Sequence, residues 1–216
     1  MRLFLTSFRL GNHPQSLVNM VNGNRKALVI ANGCDLFTED LRQPRVDREI
    51  KALAHLGFTP EELDLRQYFD SSSSKPDIGT VLASCGLIWV RGGNAFVLRR
   101  AMRQSGFEKC LPDLLQRDAL VYGGYSGGIA VLGPTLRGIE RVSDPNAIPA
   151  GYDPAVIWEG LGILTYSLAS HYRSEHSSSP GIEKVVQYWR DERLPFKTLR
   201  DGETMVVSGD QETFLT

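Results

Sequence analysis

One hydroxyl sits in a run of glycines directly behind an apolar segment: Leu120-Val121-Tyr122-Gly123-Gly124-Tyr125-Ser126-Gly127-Gly128-Ile129. A serine is a poor nucleophile unless its Oγ projects from a sharp bend, beside a base and beside backbone N–H groups able to hold an oxyanion. Gly124-Tyr125-Ser126-Gly127-Gly128 fits the Gly-x-Ser-x-Gly elbow, in which flanking glycines let neighbouring backbones crowd a strained strand-to-helix turn. A tight glycine turn with an incidental serine is the plain alternative. The place of Ser126 after a strand-like run and before Ile129-Ala130-Val131-Leu132 favours the elbow.

Such a serine needs a histidine within hydrogen-bond reach and an acid to orient that histidine. His13 and His55 fall in or beside expected helices. His171 comes where a strand gives way to a loop, the position a general base requires, and His176 follows closely; the plain reading of either is a surface-loop histidine. Glu140, Asp144, Glu175, Asp201 and Glu203 are all candidates for the acid, and Asp201-Gly202 between two strand-like runs is also ordinary hairpin chemistry. The residues alone do not choose among them.

The elements that must position these groups alternate. Strands are expected over Arg2–Phe8, Ala27–Ala31, Glu62–Leu65, Gly86–Val90 and Leu120–Tyr125, with helices within Gly11–Gly23, Asp40–Leu56, Ile78–Ser84, Ala95–Ser105 and Pro112–Arg117. This order implies an α/β three-layer sandwich with a mostly parallel central sheet flanked by helices, and ligand groups at the carboxyl ends of its strands. Two such ends, Gly92-Gly93 and Ser126-Gly127, then face each other. Ser71 to Pro76 reads as a polar surface loop, and the proline-rich stretch Asp144 to Pro154 as a partial roof over a small cleft. Leu161 to Ser170 is interrupted strand material, Ile182 to Trp189 a helix, and Phe196 to Val207 two short strands forming a C-terminal hairpin across Asp201-Gly202.

At 216 residues the chain is expected to form one domain, 1–216. A net charge of −1 gives no global field for nucleic acid or an acidic membrane surface, so a small or peptidic partner is the default. Cys34, Cys85 and Cys110 match no metal pattern and leave an odd cysteine over, which suits a reducing, cytoplasmic setting; no apolar stretch reaches membrane-spanning length. The sequence leaves a homo-oligomer open.

The residues at the two glycine turns resemble those of the S51 serine peptidases, whose members include dipeptidase E and cyanophycinase. Val90-Arg91-Gly92-Gly93-Asn94-Ala95-Phe96 is similar to the family's glycine-rich strand end, Tyr122 to Gly128 to its nucleophile turn, His171 to its histidine, and Leu199-Arg200-Asp201-Gly202 to its acid-Gly segment. The resemblance implies a class I glutamine amidotransferase-like (flavodoxin-like) fold and a metal-independent, cofactor-free peptidase of the exopeptidase or dipeptidase kind acting on short peptides. Ser126 would attack, His171 shuttle the proton and Asp201 orient His171. The oxyanion would meet the N–H of Gly127 and one from Gly92 or Gly93, with Gly93 favoured. Arg91, Asn94, Arg173 and His176 are the candidates for substrate contact. Arg91 stands where the family has the first of three glycines, Asp201 where dipeptidase E has a glutamate, and the segment after His171 lacks the arginine with which dipeptidase E grips an aspartyl side chain. Two rival readings use the same residues: an esterase or amidohydrolase on non-peptide acyl groups, and a catalytically silent small-ligand module.

Overall fold

A computed structural model describes residues 1–70 and 76–216. Residues Ser71 to Lys75 of the expected polar loop lie outside the described residues. The strands are β1 (Arg2–Thr6), β2 (Lys26–Ile30), β3 (Thr59–Glu62), β4 (Leu87–Val90), β5 (Val121–Tyr125), β6 (Ser167–Ala169), β7 (Phe196–Thr198), β8 (Thr204–Ser208) and β9 (Gln211–Leu215). The helices are α1 (Pro14–Met20), α2 (Glu39–His55), α3 (Ile78–Ala83), α4 (Ala95–Gln104), α5 (Phe107–Gln116), α6 (Gly127–Ala130) and α7 (Ser179–Asp191).

The main sheet runs β3-β2-β4-β5-β1-β8-β9, with the first five strands parallel, β8 antiparallel to β1 and β9 antiparallel to β8. Counted from β2, the parallel strands follow the 2-1-3-4-5 order of flavodoxin-like sheets, the N-terminal β1 supplying the fifth position. Every residue of β4 and β5 is buried, as strands covered on both faces require. Alternation along β2 divides the core. Ala27 and Val29 join Phe4, Trp89 and Leu53 on one face, while Leu28 and Ile30 join Ile88, Phe96 and Leu111 on the other. The result is the expected three layers. No helix among the described residues is long and apolar enough to cross a membrane.

Four expectations are corrected. The third strand is Thr59–Glu62, not Glu62–Leu65: Leu63 and Leu65 are buried, but they lead into a turn in which the Asp64 carboxylate accepts from the Arg66 N–H, and Pro60 is tolerated because β3 is an edge strand. The helix assigned to Pro112 begins at Phe107, and Pro112 lies inside it. Phe196 to Val207 is not a hairpin. β7 pairs in parallel with β6 in a separate two-stranded sheet, β8 joins the main sheet, and the C-terminal hairpin is instead β8–β9 across Gly209-Asp210. Finally, the proline-rich stretch is fastened onto α4, where the buried Arg100 guanidinium donates to the carbonyls of Pro145 (2.7 Å), Ala155 (3.0 Å) and Pro154 (3.3 Å).

Candidate active site

β4 and β5 are neighbours, so the chain segments that leave their carboxyl ends must touch. Asn94 caps α4, its Oδ1 accepting from the N–H groups of Phe96 (2.9 Å) and Val97 (3.1 Å), which fixes Gly92-Gly93 against the second turn. At that second turn Ser126 has φ 54° and ψ −124°, the left-handed backbone of a strained elbow, and α6 starts at the next residue. The approach leaves no room for side chains. A Cβ on Gly92 would lie 2.6 Å from Ser126 Cβ, and one on Gly127 would lie 2.6 Å from the Gly93 carbonyl oxygen and 3.3 Å from the Gly93 nitrogen.

β6 carries the chain to His171, which is buried and has φ 61°. Its Nδ1 lies 2.7 Å from Asp201 Oδ1. An ionised carboxylate only accepts, so Nδ1 carries the hydrogen and Nε2 keeps its lone pair. The Asp201-Gly202 turn reaches the ring because it joins β7 of the small sheet to β8 of the large one, while Leu199 and Tyr172 extend the β6–β7 pairing towards it. Ser7, one residue past β1, donates to Asp201 Oδ1 (2.7 Å) and accepts the His171 backbone N–H (2.7 Å). Asp201 N–H in turn donates to Ser174 Oγ at 2.8 Å. Burial holds the His171 pKa below its ordinary 6.5; Asp201 opposes that shift and His176 adds to it, so the ring is neutral at pH 7.

A cavity of about 360 Å³ is lined by Ser126, His171, Gly92, Gly93, Asn94, Arg91 and His176 together with Phe8, Phe37 and Arg45. None of residues 144–154 lines it, so the expected roof is replaced by the loop before α2 and by the segment after His171. Gly127 borders a smaller cavity of about 70 Å³ that adjoins the first at Ser126. Arg173 borders neither; it is exposed, with its guanidinium 5.1 Å from the Tyr172 ring, which fits a solvated loop cation. Asn94 borders the wide cavity, but its amide is spent on the α4 cap and on the Asp144 carbonyl.

Arg91 turns back on its own loop. Its Nη1 donates to the Gly92 carbonyl (2.5 Å) and sits 2.6 Å from Cys34 Sγ, and its Nε lies 3.6 Å from the buried Glu49. The Gly92 carbonyl and the Gly93 N–H belong to one planar trans peptide, so holding the first aims the second. Sequence reasoning missed this role, and missed Ser7 and Glu49. Ser7 stands outside any motif, and Glu49 reads as a helix-surface acid until Trp89 Nε1 (3.0 Å) and Tyr125 OH (2.7 Å) are seen to donate to it.

The family model described as peptidase family S51 matches residues 16–215. The chain belongs to peptidase family S51. It is 28% identical over 147 residues to the Drosophila melanogaster protein named "Probable alpha-aspartyl dipeptidase", covering 66% of this chain and 58% of that one. It is 29% identical over 140 residues to "Uncharacterized peptidase Lmo0363" of Listeria monocytogenes, covering 64% and 62%. The matches therefore span about three-fifths of those relatives' length. The crystal structure of a "Putative Peptidase E Protein" from Listeria monocytogenes superposes with a TM-score of 0.78 at 20% identity, covering 99% of this chain and 97% of that one. A peptidase from an acI-B1 Actinobacterium superposes at 0.67 and 18% identity, covering 99% and 86%. At these identities the likeness is one of fold.

Proposed function

We propose that this S51 chain is a serine peptidase that hydrolyses short peptides through an acyl-enzyme, with residues 1–216 acting as one catalytic domain. The observation that carries this reading is a strained Ser126 opening into the same cavity as an Asp201-tethered His171. The scissile carbonyl is attacked by Ser126 Oγ while His171 Nε2 takes the hydroxyl proton. The negative charge that forms on the carbonyl oxygen is met by the N–H groups of Gly93 and Gly127. His171 then passes its proton to the leaving amine, and a water repeats the cycle against the acyl-enzyme. Asp201 keeps the ring in the tautomer that presents Nε2 and stabilises the imidazolium during transfer. Hydrogen bonds between a nucleophilic serine and its histidine commonly close only when substrate binds. The free cysteines Cys34, Cys85 and Cys110 are consistent with a cytoplasmic setting.

The test is hydrolysis of dipeptides and tripeptides by wild type and by Ser126→Ala. Cleavage by wild type alone supports the reading. Cleavage of simple esters but of no peptide would move the assignment to an esterase, and absence of any acyl transfer, with Ser126 unreactive to phosphonates, to a ligand-binding module.

A further inference from the structure

Ser126 and His171 stand where two unlike cavities meet. The wide one has Arg45 and Arg91 in its wall. The narrow one is closed in by Ile139, Val142, Leu168 and Ile182, with Ser143 and Ser170 among them, and among the described residues no lysine, arginine, aspartate or glutamate lines it. At about 70 Å³ it holds roughly two water-sized groups. Its wall is braced as well: α7 packs so tightly that a Cβ on Gly181 would lie 2.5 Å from Val142 Cγ1.

Which part of a substrate stays on Ser126 and which part must leave decides what enters it. Gly93 borders both cavities, but Gly127 borders only the narrow one of the two. A carbonyl oxygen held by both N–H groups puts its Cα and its leaving nitrogen on different sides of Ser126; the amine must depart and a water take its place, which the wide cavity beside His176 permits, so the Cα that stays on the serine falls on the narrow side. A bulky side chain there meets Val142 and Ile182. A carboxylate there would be buried with no cation beside it, which is unfavourable whatever its shape.

Resting on the serine-peptidase reading, we propose that the narrow cavity is the acyl-side selectivity pocket and accepts small uncharged side chains, those of glycine, alanine or serine. The aspartyl preference in the name of the Drosophila relative would then not extend to this chain. The wide cavity, by contrast, takes the leaving-group residue with few limits on size.

The experiment is a matrix of dipeptides X-Leu, with X as Gly, Ala, Ser, Leu, Phe, Asp and Lys, and the p-nitrophenyl esters of acetic, hexanoic and succinic acids, run on wild type, Val142→Ala and Ile182→Ala. Wild type is expected to favour Ala-Leu over Leu-Leu and Asp-Leu, and acetate over the longer and charged esters, by about 10- to 200-fold in kcat/KM. Either cavity-enlarging variant is expected to raise Leu-Leu relative to Ala-Leu at least tenfold; two variants at different lining residues guard against one that fails to fold. Preference for Asp-Leu or Phe-Leu in wild type, or ratios unmoved in both folded variants, would overturn the pocket assignment while leaving the peptidase reading intact. If neither peptides nor esters react, the serine reading itself falls, and the pocket assignment with it.

Discussion

His176 lies flat against His171, with ring centroids 3.7 Å apart and planes 12° from parallel. Phe8 meets both rings edge-on, at 5.8 and 5.4 Å. His176 Nδ1 accepts the Ser178 N–H at 3.1 Å, so the ring is held by its backbone as well as by stacking. Two stacked imidazoles do not readily both carry charge, which is one reason the His171 pKa is lowered; burial is the larger. Among the described residues, Asp201 is bound to His171, and Arg45 and Arg91 line the same cavity.

A base whose pKa is depressed stays neutral further into acid, so the acid limb of kcat/KM should have its midpoint below 6.5. Replacing His176 with Phe keeps the stack and removes the second charge. The acid limb should then move up towards 6.5, both in a pH–rate profile and in an NMR titration of the His171 ring. An unmoved limb would mean that the stack orients His171 without tuning its proton affinity.

Ser7 joins the His171 backbone to the Asp201 carboxylate through one hydroxyl. In Ser7→Ala both groups stay in place but lose a common anchor, one of them charged. A hydrogen bond to a charged group contributes about 1.5–3 kcal/mol, so kcat is expected to fall roughly 10- to 100-fold with KM little changed. Ser7→Thr, which keeps the hydroxyl, should recover most of the loss. If Ser7→Ala instead shifts KM alone, Ser7 acts on substrate binding and not on the pair.

Arg91 should behave as a positioning residue. Arg91→Ala frees the Gly92 carbonyl and with it the direction of the Gly93 N–H. Losing a single oxyanion donor costs about 10²–10³ in kcat, and a misaimed one should cost less, about 10- to 100-fold. Gly127→Ala tests the other donor more harshly, because its Cβ would press on the Gly93 carbonyl at 2.6 Å. It should lower kcat by the full 10²–10³ and also lower the melting temperature. Wild-type kcat in both variants would remove Gly93 and Gly127 from the reaction.

The parts of this site visible in the sequence were those imposed by steric necessity. Gly92, Gly127 and Gly128 stand where no side chain fits, so the two turns stood out before any contact was known. His171 was legible as a strand-end histidine, but its acid was not: Asp201-Gly202 has the chemistry of a hairpin, and only the separate pairing of β7 with β6 and β8 with β1 makes it a bridge between sheets. Arg91 lines the cavity, as the sequence suggested of a cation beside a glycine turn, but its hold on the Gly92 carbonyl was not legible. Its partners, Cys34 and Glu49, are 57 and 42 positions away, and no local pattern joins them. Long-range pairing of this kind is the part of a fold that spacing and composition do not carry.

The same limit applies to the loop that supports Gly93 from behind. Asp35 follows Gly33 and Cys34, and the Asn94 N–H donates to the Gly33 carbonyl at 2.8 Å, so whatever holds Asp35 also holds the site. The Asp35 side chain is fully buried and receives Arg42 Nε at 2.6 Å, Asn32 Nδ2 at 2.7 Å and the Tyr152 hydroxyl; Arg42 also reaches Glu62 at 2.5 Å. Removing one partner of a buried ion pair leaves the other charge uncompensated. Arg42→Met is therefore expected to cost about 3–5 kcal/mol in urea unfolding, and Asp35→Leu on that background should recover part of the loss because no buried charge remains at that position. Activity should not recover with stability. The double variant lacks the carboxylate that gathers Asn32, Arg42 and Tyr152 around the Gly33 loop, so its kcat should stay below wild type even when fully folded. A double variant with wild-type kcat would show that the loop holds its shape without this network.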